Sequence, residues 1–149
     1  MALIYETSNL NLVKLKTMMI KILTTLVLIF AFVACDDTIT VQTVDNTVIP
    51  SSNVSFGKYI YPLFQAKCAF SGCHSGADPA GNLDLTSWVN ATASVDIIRP
   101  GEPDLSRLVW AIKNTPGIPL MPPLNTGLAL TPNQIQGIVT WIKEGAQDN

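Results

Sequence analysis

Apolar residues recur at helical spacing in several stretches of this chain, most regularly near the end. Ile135, Ile138, Val139 and Ile142 fall on one face of a helix. Thr131-Pro132-Asn133-Gln134 reads as its capping box, with Pro at the first helical position, and Gly145 stops it. A second stripe, Leu105, Leu108, Val109 and Ile112, predicts a helix from about Asp104 to Asn114. A third helix is expected from Phe56 to about Lys67, capped by Ser55 and kinked or divided at Pro62. Leu83 to Trp88 can open a short helix. Between these elements lie a Gly- and Ser-rich loop from Cys68 to Asn82, a turn at Pro100-Gly101-Glu102-Pro103 and a proline-rich loop from Pro116 to Pro123. The pattern predicts an all-α domain of three to four short helices with long loops.

Residues 1–34 read as a leader. Met18-Met19-Ile20-Lys21 precedes an apolar run from Ile22 to Val33, and Ala34-Cys35-Asp36-Asp37 follows. A basic start, about a dozen apolar residues and a small residue before the break form the layout of a secretory signal. A membrane-spanning helix needs roughly 20 apolar residues. Phe32-Val33-Ala34-Cys35 resembles a bacterial lipobox, with Phe32 where Leu is usual, which makes Cys35 the expected site of lipidation. A plain cleaved signal and an uncleaved anchor are the alternatives. Met1 to Thr17 read as an over-called start, with Met18 or Met19 as initiator. Residues 35–54, rich in Thr, Val, Asp and Asn without a helical apolar period, read as an extended tether. The domain itself is assigned to residues 55–147.

Beyond the leader, six basic residues stand against ten acidic ones, a net of about −4, with no basic patch or stripe to suit nucleic acid. Cys35 being assigned to lipid, Cys68 and Cys73 remain as a pair. They stand in Cys68-Ala69-Phe70-Ser71-Gly72-Cys73-His74, and a Cys pair followed directly by His is the pattern of c-type haem attachment. Each thiol adds across a haem vinyl group, and the His directly after the second Cys is then held beneath the ring, where its imidazole can bind iron. The common spacing has two residues between the cysteines and this chain has four; Gly72 lets the longer loop fold back. Other readings remain open. Cys68 and Cys73 can form a disulfide in an oxidising compartment, and with His74 they can contribute to a zinc site that lacks an obvious fourth ligand. An iron–sulfur cluster needs more cysteines than are present.

Met121 is the only Met after the leader and sits in Ile118-Pro119-Leu120-Met121-Pro122-Pro123, a loop stiffened by proline on both sides. Haem iron in electron-transfer cytochromes commonly takes His on one face and Met on the other, so Met121 is the candidate distal ligand. Arg99 is a candidate partner for a haem propionate or a solvated turn residue. Trp88, Trp110 and Trp141 are large enough to pack on the ring, and Trp141, next to Ile142, is better suited to seal a helix crossing.

On these residues, Phe56 to Ala146 resembles the class I cytochrome c fold in the small form found in exported bacterial proteins and lipoproteins. The matching pieces are Cys68…Cys73-His74, Gly81-Asn82-Leu83-Asp84-Leu85, Pro100-Gly101-Glu102-Pro103…Ser106-Arg107-Leu108, Met121-Pro122-Pro123 and Thr131…Ile135…Ile138…Trp141-Ile142…Gly145-Ala146. The resemblance implies first and last helices crossing beside one covalent haem c, with His74 proximal and Met121 distal. It implies an electron carrier rather than an enzyme, on the periplasmic or cell-surface side and held to the membrane through its N-terminal lipid. Its partners would be redox proteins meeting the haem edge. Two alternatives stand beside it: a non-redox surface module stabilised by metal or disulfide, and an open-site haem protein of peroxidase-like or gas-binding type.

Overall fold

The computed structural model describes residues 14–24 and 38–149. The chain divides into two compact units, Met1–Thr38 and Ile39–Asn149. In the first unit, residues 14–24 are helical and their side chains exposed. No described helix is long and apolar enough to cross a membrane. Cys35 and the signal-like run after residue 24 lie outside the described residues.

The second unit is all-α. Its helices are α1 (Val41–Asn46), α2 (Tyr61–Lys67), α3 (Trp88–Ala91), α4 (Arg107–Ile112) and α5 (Pro132–Lys143), joined by loops and short 3₁₀ turns. Among the described residues no strand forms.

α5 follows its sequence signals closely. Thr131 accepts from the Gln134 N–H at 3.2 Å and the Gln134 side chain accepts from the Thr131 N–H at 2.9 Å, closing the capping box. Such a cap contributes about 1 kcal/mol. Ile138 and Ile142 are fully buried, Ile135 and Val139 half-buried, and Gly145 ends the helix at φ +100°. α5 crosses the segment before α2, where Trp141 packs on Phe56 with ring centroids 5.4 Å apart and edge-on to Phe64 at 6.3 Å. Trp141 thus seals the crossing, with its indole N–H donating to the Gln147 carbonyl.

The helix expected from Phe56 to Lys67 is divided. Phe56–Ile60 forms a wide π-type turn capped by Ser55, and α2 then starts with Pro62 in its first turn. Proline has no N–H and its ring crowds the carbonyl four residues back, so the helix opens just before it.

Three expectations need correction. Residues 39–54 do not form an extended tether: Thr40 caps α1, and Val44, Ile49 and Val54 are buried. Asn133 clips the backbone of Ile49 from both sides, at 2.8 and 3.0 Å, and the Glu144 carboxylate accepts from the N–H groups of Asn53 and Val54. Val44, Ile49 and Val54 can turn inward because such polar clips satisfy and hold the backbone around them. The helix expected from Asp104 begins later. Pro103–Leu105 is a 3₁₀ turn, Ser106 is buried, and Leu105 is 51% exposed rather than part of the buried stripe. The Ser106 hydroxyl donates to the Glu102 carbonyl and accepts from the Arg99 N–H, which takes the inward position from Leu105. Leu83 to Ser87 is not helical; α3 starts at Trp88, after Ser87 caps Asn90.

Candidate haem site

α2 delivers Cys68 to the site. Leu63 and Phe64 are fully buried and fix the helix, and the Cys68 and Ala69 N–H groups both donate to the Phe64 carbonyl at 2.8 Å. The four residues between the cysteines then turn the chain back on itself. Cys73 N–H donates to Phe70 O, His74 N–H to Cys68 O at 3.2 Å, and Ser71 bridges Ser75. Gly72 makes this reversal at φ +81°, a region open to glycine at no steric cost.

His74 is held by its backbone and by its ring. The Leu85 N–H donates to its carbonyl at 2.9 Å. Its Nδ1 lies 3.1 Å from Ala80 O and 3.3 Å from Leu83 O. A carbonyl oxygen only accepts, so Nδ1 carries a proton, and Nε2 is the ring nitrogen not taken up by these carbonyls. The Ala80–Asn82 turn presents one of these carbonyls, with Gly81 at φ +65° and Asn82 at φ +54°.

Met121 arrives from the other side of the sequence, on the loop between α4 and α5. Its N–H donates to Ala111 O at 3.1 Å, which ties the loop to α4, and Pro122 beside it is buried.

Cys68, Cys73, His74 and Met121 line one cavity of about 390 Å³. Leu83, Leu85, Ile97, Leu108, Ile112 and Ile118 supply much of its remaining wall. The size falls within the roughly 300–1,000 Å³ of cofactor and small-molecule sites. Cys68 and Cys73 are free thiols, not a disulfide. Burial pushes the Cys68 thiol up to about 12, so it stays neutral beside this apolar wall. Among the described residues no three His, Cys, Asp or Glu side chains gather as they would around a metal ion. Two free thiols, an imidazole held through Nδ1, a thioether and an apolar slot together fit covalent haem.

The structure also moves two assignments. Arg99 is not on the cavity wall; it lies 3.9 Å from Asp96 and 3.6 Å from Glu102. Arg107 and Lys67 are the charged residues on that wall, and the sequence assigned neither of them a place there. Spacing could have pointed to Lys67, which directly precedes Cys68. None of the three tryptophans lines the cavity. The indole N–H groups of Trp88 and Trp110 donate to Ala146 O and Asp104 O.

No curated protein and no solved structure matches the chain. A family model described as Planctomycete cytochrome C matches residues 71–125, a stretch that contains Cys73, His74 and Met121. That match, together with the helical fold, supports a cytochrome c-like domain, a class of domain that binds haem covalently and transfers electrons.

Proposed function

We propose that this chain is an exported monohaem c-type cytochrome that carries single electrons between redox partners, anchored to the membrane through lipidated Cys35. The observation that carries the reading is the meeting of Cys68, Cys73, His74 and Met121 on one apolar cavity, with the Nδ1 side of His74 already committed to backbone carbonyls. In this reading Cys68 and Cys73 form the two thioether bonds, His74 Nε2 is the proximal iron ligand and Met121 sulfur the distal one.

Haem c would supply a one-electron iron couple, and Met together with His as ligands would raise its potential relative to two histidines. The chain does the rest. The Ala80 and Leu83 carbonyls fix the imidazole's tautomer and strengthen its donor nitrogen. The link from Met121 N–H to α4 sets where the sulfur is presented. With His74 and Met121 both serving as iron ligands, no open position would remain for substrate, which favours a carrier over an enzyme. Partners are other redox proteins that meet the exposed haem edge through a small, transient contact, below about 1,200 Å².

The test is a pyridine haemochrome assay on the full chain, matured in a host with haem-attachment machinery, beside Cys68→Ala/Cys73→Ala. Covalent haem is expected in the first and lost in the second; covalent haem retained in the double variant overturns the attachment. Reduced wild type should show sharp α and β bands that carbon monoxide leaves unchanged, whereas Met121→Ala should bind carbon monoxide. A carbon monoxide shift in wild type would instead favour the open-site reading.

A further inference from the structure

Lys67 is the last residue of α2 and one of the least exposed residues of the chain, at 3%. Its Nζ lies 2.6 Å from Asp45 Oδ1 and donates to Ala129 O at 2.8 Å. It also forms part of the cavity wall, immediately before Cys68. Asp45 stands on α1, and Gln134 of α5 donates to the same carboxylate oxygen at 2.9 Å. Lys67 therefore joins the cavity to the N-terminal segment that packs on α5.

Folding alone does not call for a cation here. An apolar side chain of similar volume stabilises a buried position as well as an ion pair does, or better. What a hydrophobic residue cannot supply is a fixed charge close behind the cavity, where Asp45 and Ala129 hold the ammonium of this wall residue. Arg107, the other cation on that wall, is exposed and screened by water.

We infer that the Lys67 ammonium, partly offset by the Asp45 carboxylate, sets the reduction potential of the group held by Cys68, Cys73 and His74. The inference rests on the haem reading above. Reduction adds one electron to the site, with no bond formed or broken, so a nearby positive charge favours the reduced form and a negative one the oxidised form. Asp45→Asn keeps a carbonyl oxygen for Lys67 and Gln134 but removes the offsetting charge, and the potential rises. Lys67→Met removes the cation, leaves the carboxylate, and the potential falls. Each change should be roughly tenfold in the reduction equilibrium, the order expected for a unit charge about 10 Å away at an effective dielectric near 20. That is ~59 mV for one electron.

The experiment is spectroelectrochemical titration of the full, haem-loaded chain and of Asp45→Asn, Lys67→Met and Lys67→Arg. Opposite shifts in the first two variants, with Lys67→Arg close to wild type, are the expected result. Mere loosening of the fold would admit water to the cavity in both variants and shift them in the same direction. Same-direction shifts, or none, in protein that carries covalent haem with intact α bands overturn this inference alone. Should Lys67→Met fail to fold, Asp45→Asn decides by itself, and no rise overturns the proposal. A wild type without covalent haem overturns the haem reading and this inference with it.

Discussion

The His74 ring shares one Nδ1 proton between two backbone carbonyls, Ala80 at 3.1 Å and Leu83 at 3.3 Å. Both carbonyls come from the short segment after the Cys–His motif, so the attachment loop carries its own orienting groups. His74→Ala should leave the thioether bonds in place but remove the proximal nitrogen, and the sharp low-spin bands should disappear. Added imidazole should restore them, because the cavity keeps its shape and the free ligand replaces the missing ring. An unchanged spectrum in His74→Ala would remove His74 from the ligand set.

Gly137 of α5 packs closely against Ile49 of the N-terminal segment. A Cβ at residue 137 would stand 2.7 Å from Ile49 Cγ2, 2.8 Å from its Cδ1 and 3.1 Å from its Cβ. The last of these atoms cannot swing away without backbone movement. Gly137→Ala improves helix propensity by about 1 kcal/mol, but overpacking a tight contact costs typically ~1–3 kcal/mol. The net expectation is a loss of about 1 kcal/mol in urea denaturation. In an Ile49→Ala background the same change should be close to neutral, a non-additivity that marks direct contact. Additive effects of the two substitutions would show that residues 39–54 do not pack on α5.

That contact also marks where sequence reading ran out. α5 was legible because propensity, capping and apolar spacing agree within twelve residues. The Cys68–Cys73–His74 motif and Met121 were legible because their chemistry leaves few uses for them, and the structure brings all four to one cavity. The segment 39–54 was not legible. Its polar residues match a tether, and its burial depends on partners 80 to 90 positions away, Asn133, Gln134 and Glu144. Leu105 fits the helical spacing of its neighbours, yet the helix starts three residues later than that spacing predicts, at Arg107, because the buried Ser106 hydroxyl is taken up by Arg99 N–H and the Glu102 carbonyl and Leu105 is left outside. Arg99 drew attention as an isolated cation beside a turn, whereas Arg107 reaches the cavity because α4 faces it. Periodicity records which side of a helix is apolar and says nothing of which distant polar group meets it.

Two carboxylates bring an acid-sensitive limb to stability. The Thr86 hydroxyl and N–H, with the Asn90 amide, hold the Asp84 carboxyl below its ordinary value. Lys67 and then Gln134 do the same for Asp45. A carboxyl lowered in the folded state stabilises the fold above its unfolded value, near 3.9, and that contribution fades as pH falls through the lower, folded value. Thermal unfolding followed from pH 5 to pH 2 should therefore show Tm falling below about pH 4. Asp84→Asn and Asp45→Asn should each flatten that fall while leaving the slope above pH 5 unchanged. An acid limb as steep in both variants as in wild type would show that these hydrogen bonds do not persist in solution.

Cys68 offers a direct chemical check on the cavity before any cofactor is attached. Burial pushes its thiol up to about 12, whereas an unperturbed cysteine ionises near 8.5. The thiolate is the species that alkylating reagents attack, and at pH 8 its fraction at Cys68 is reduced by roughly three orders of magnitude. The higher basicity of the remaining thiolate recovers part of that rate. In the haem-free chain, made without attachment machinery, iodoacetamide at pH 8 should modify Cys68 slower than in urea-unfolded chain by roughly two orders of magnitude. Mass spectrometry of the peptide spanning residues 68–73 distinguishes the two cysteines. Labelling of Cys68 as fast in the native chain as in the unfolded one would mean that its sulfur faces water, and the apolar wall beside the attachment loop would have to be redrawn.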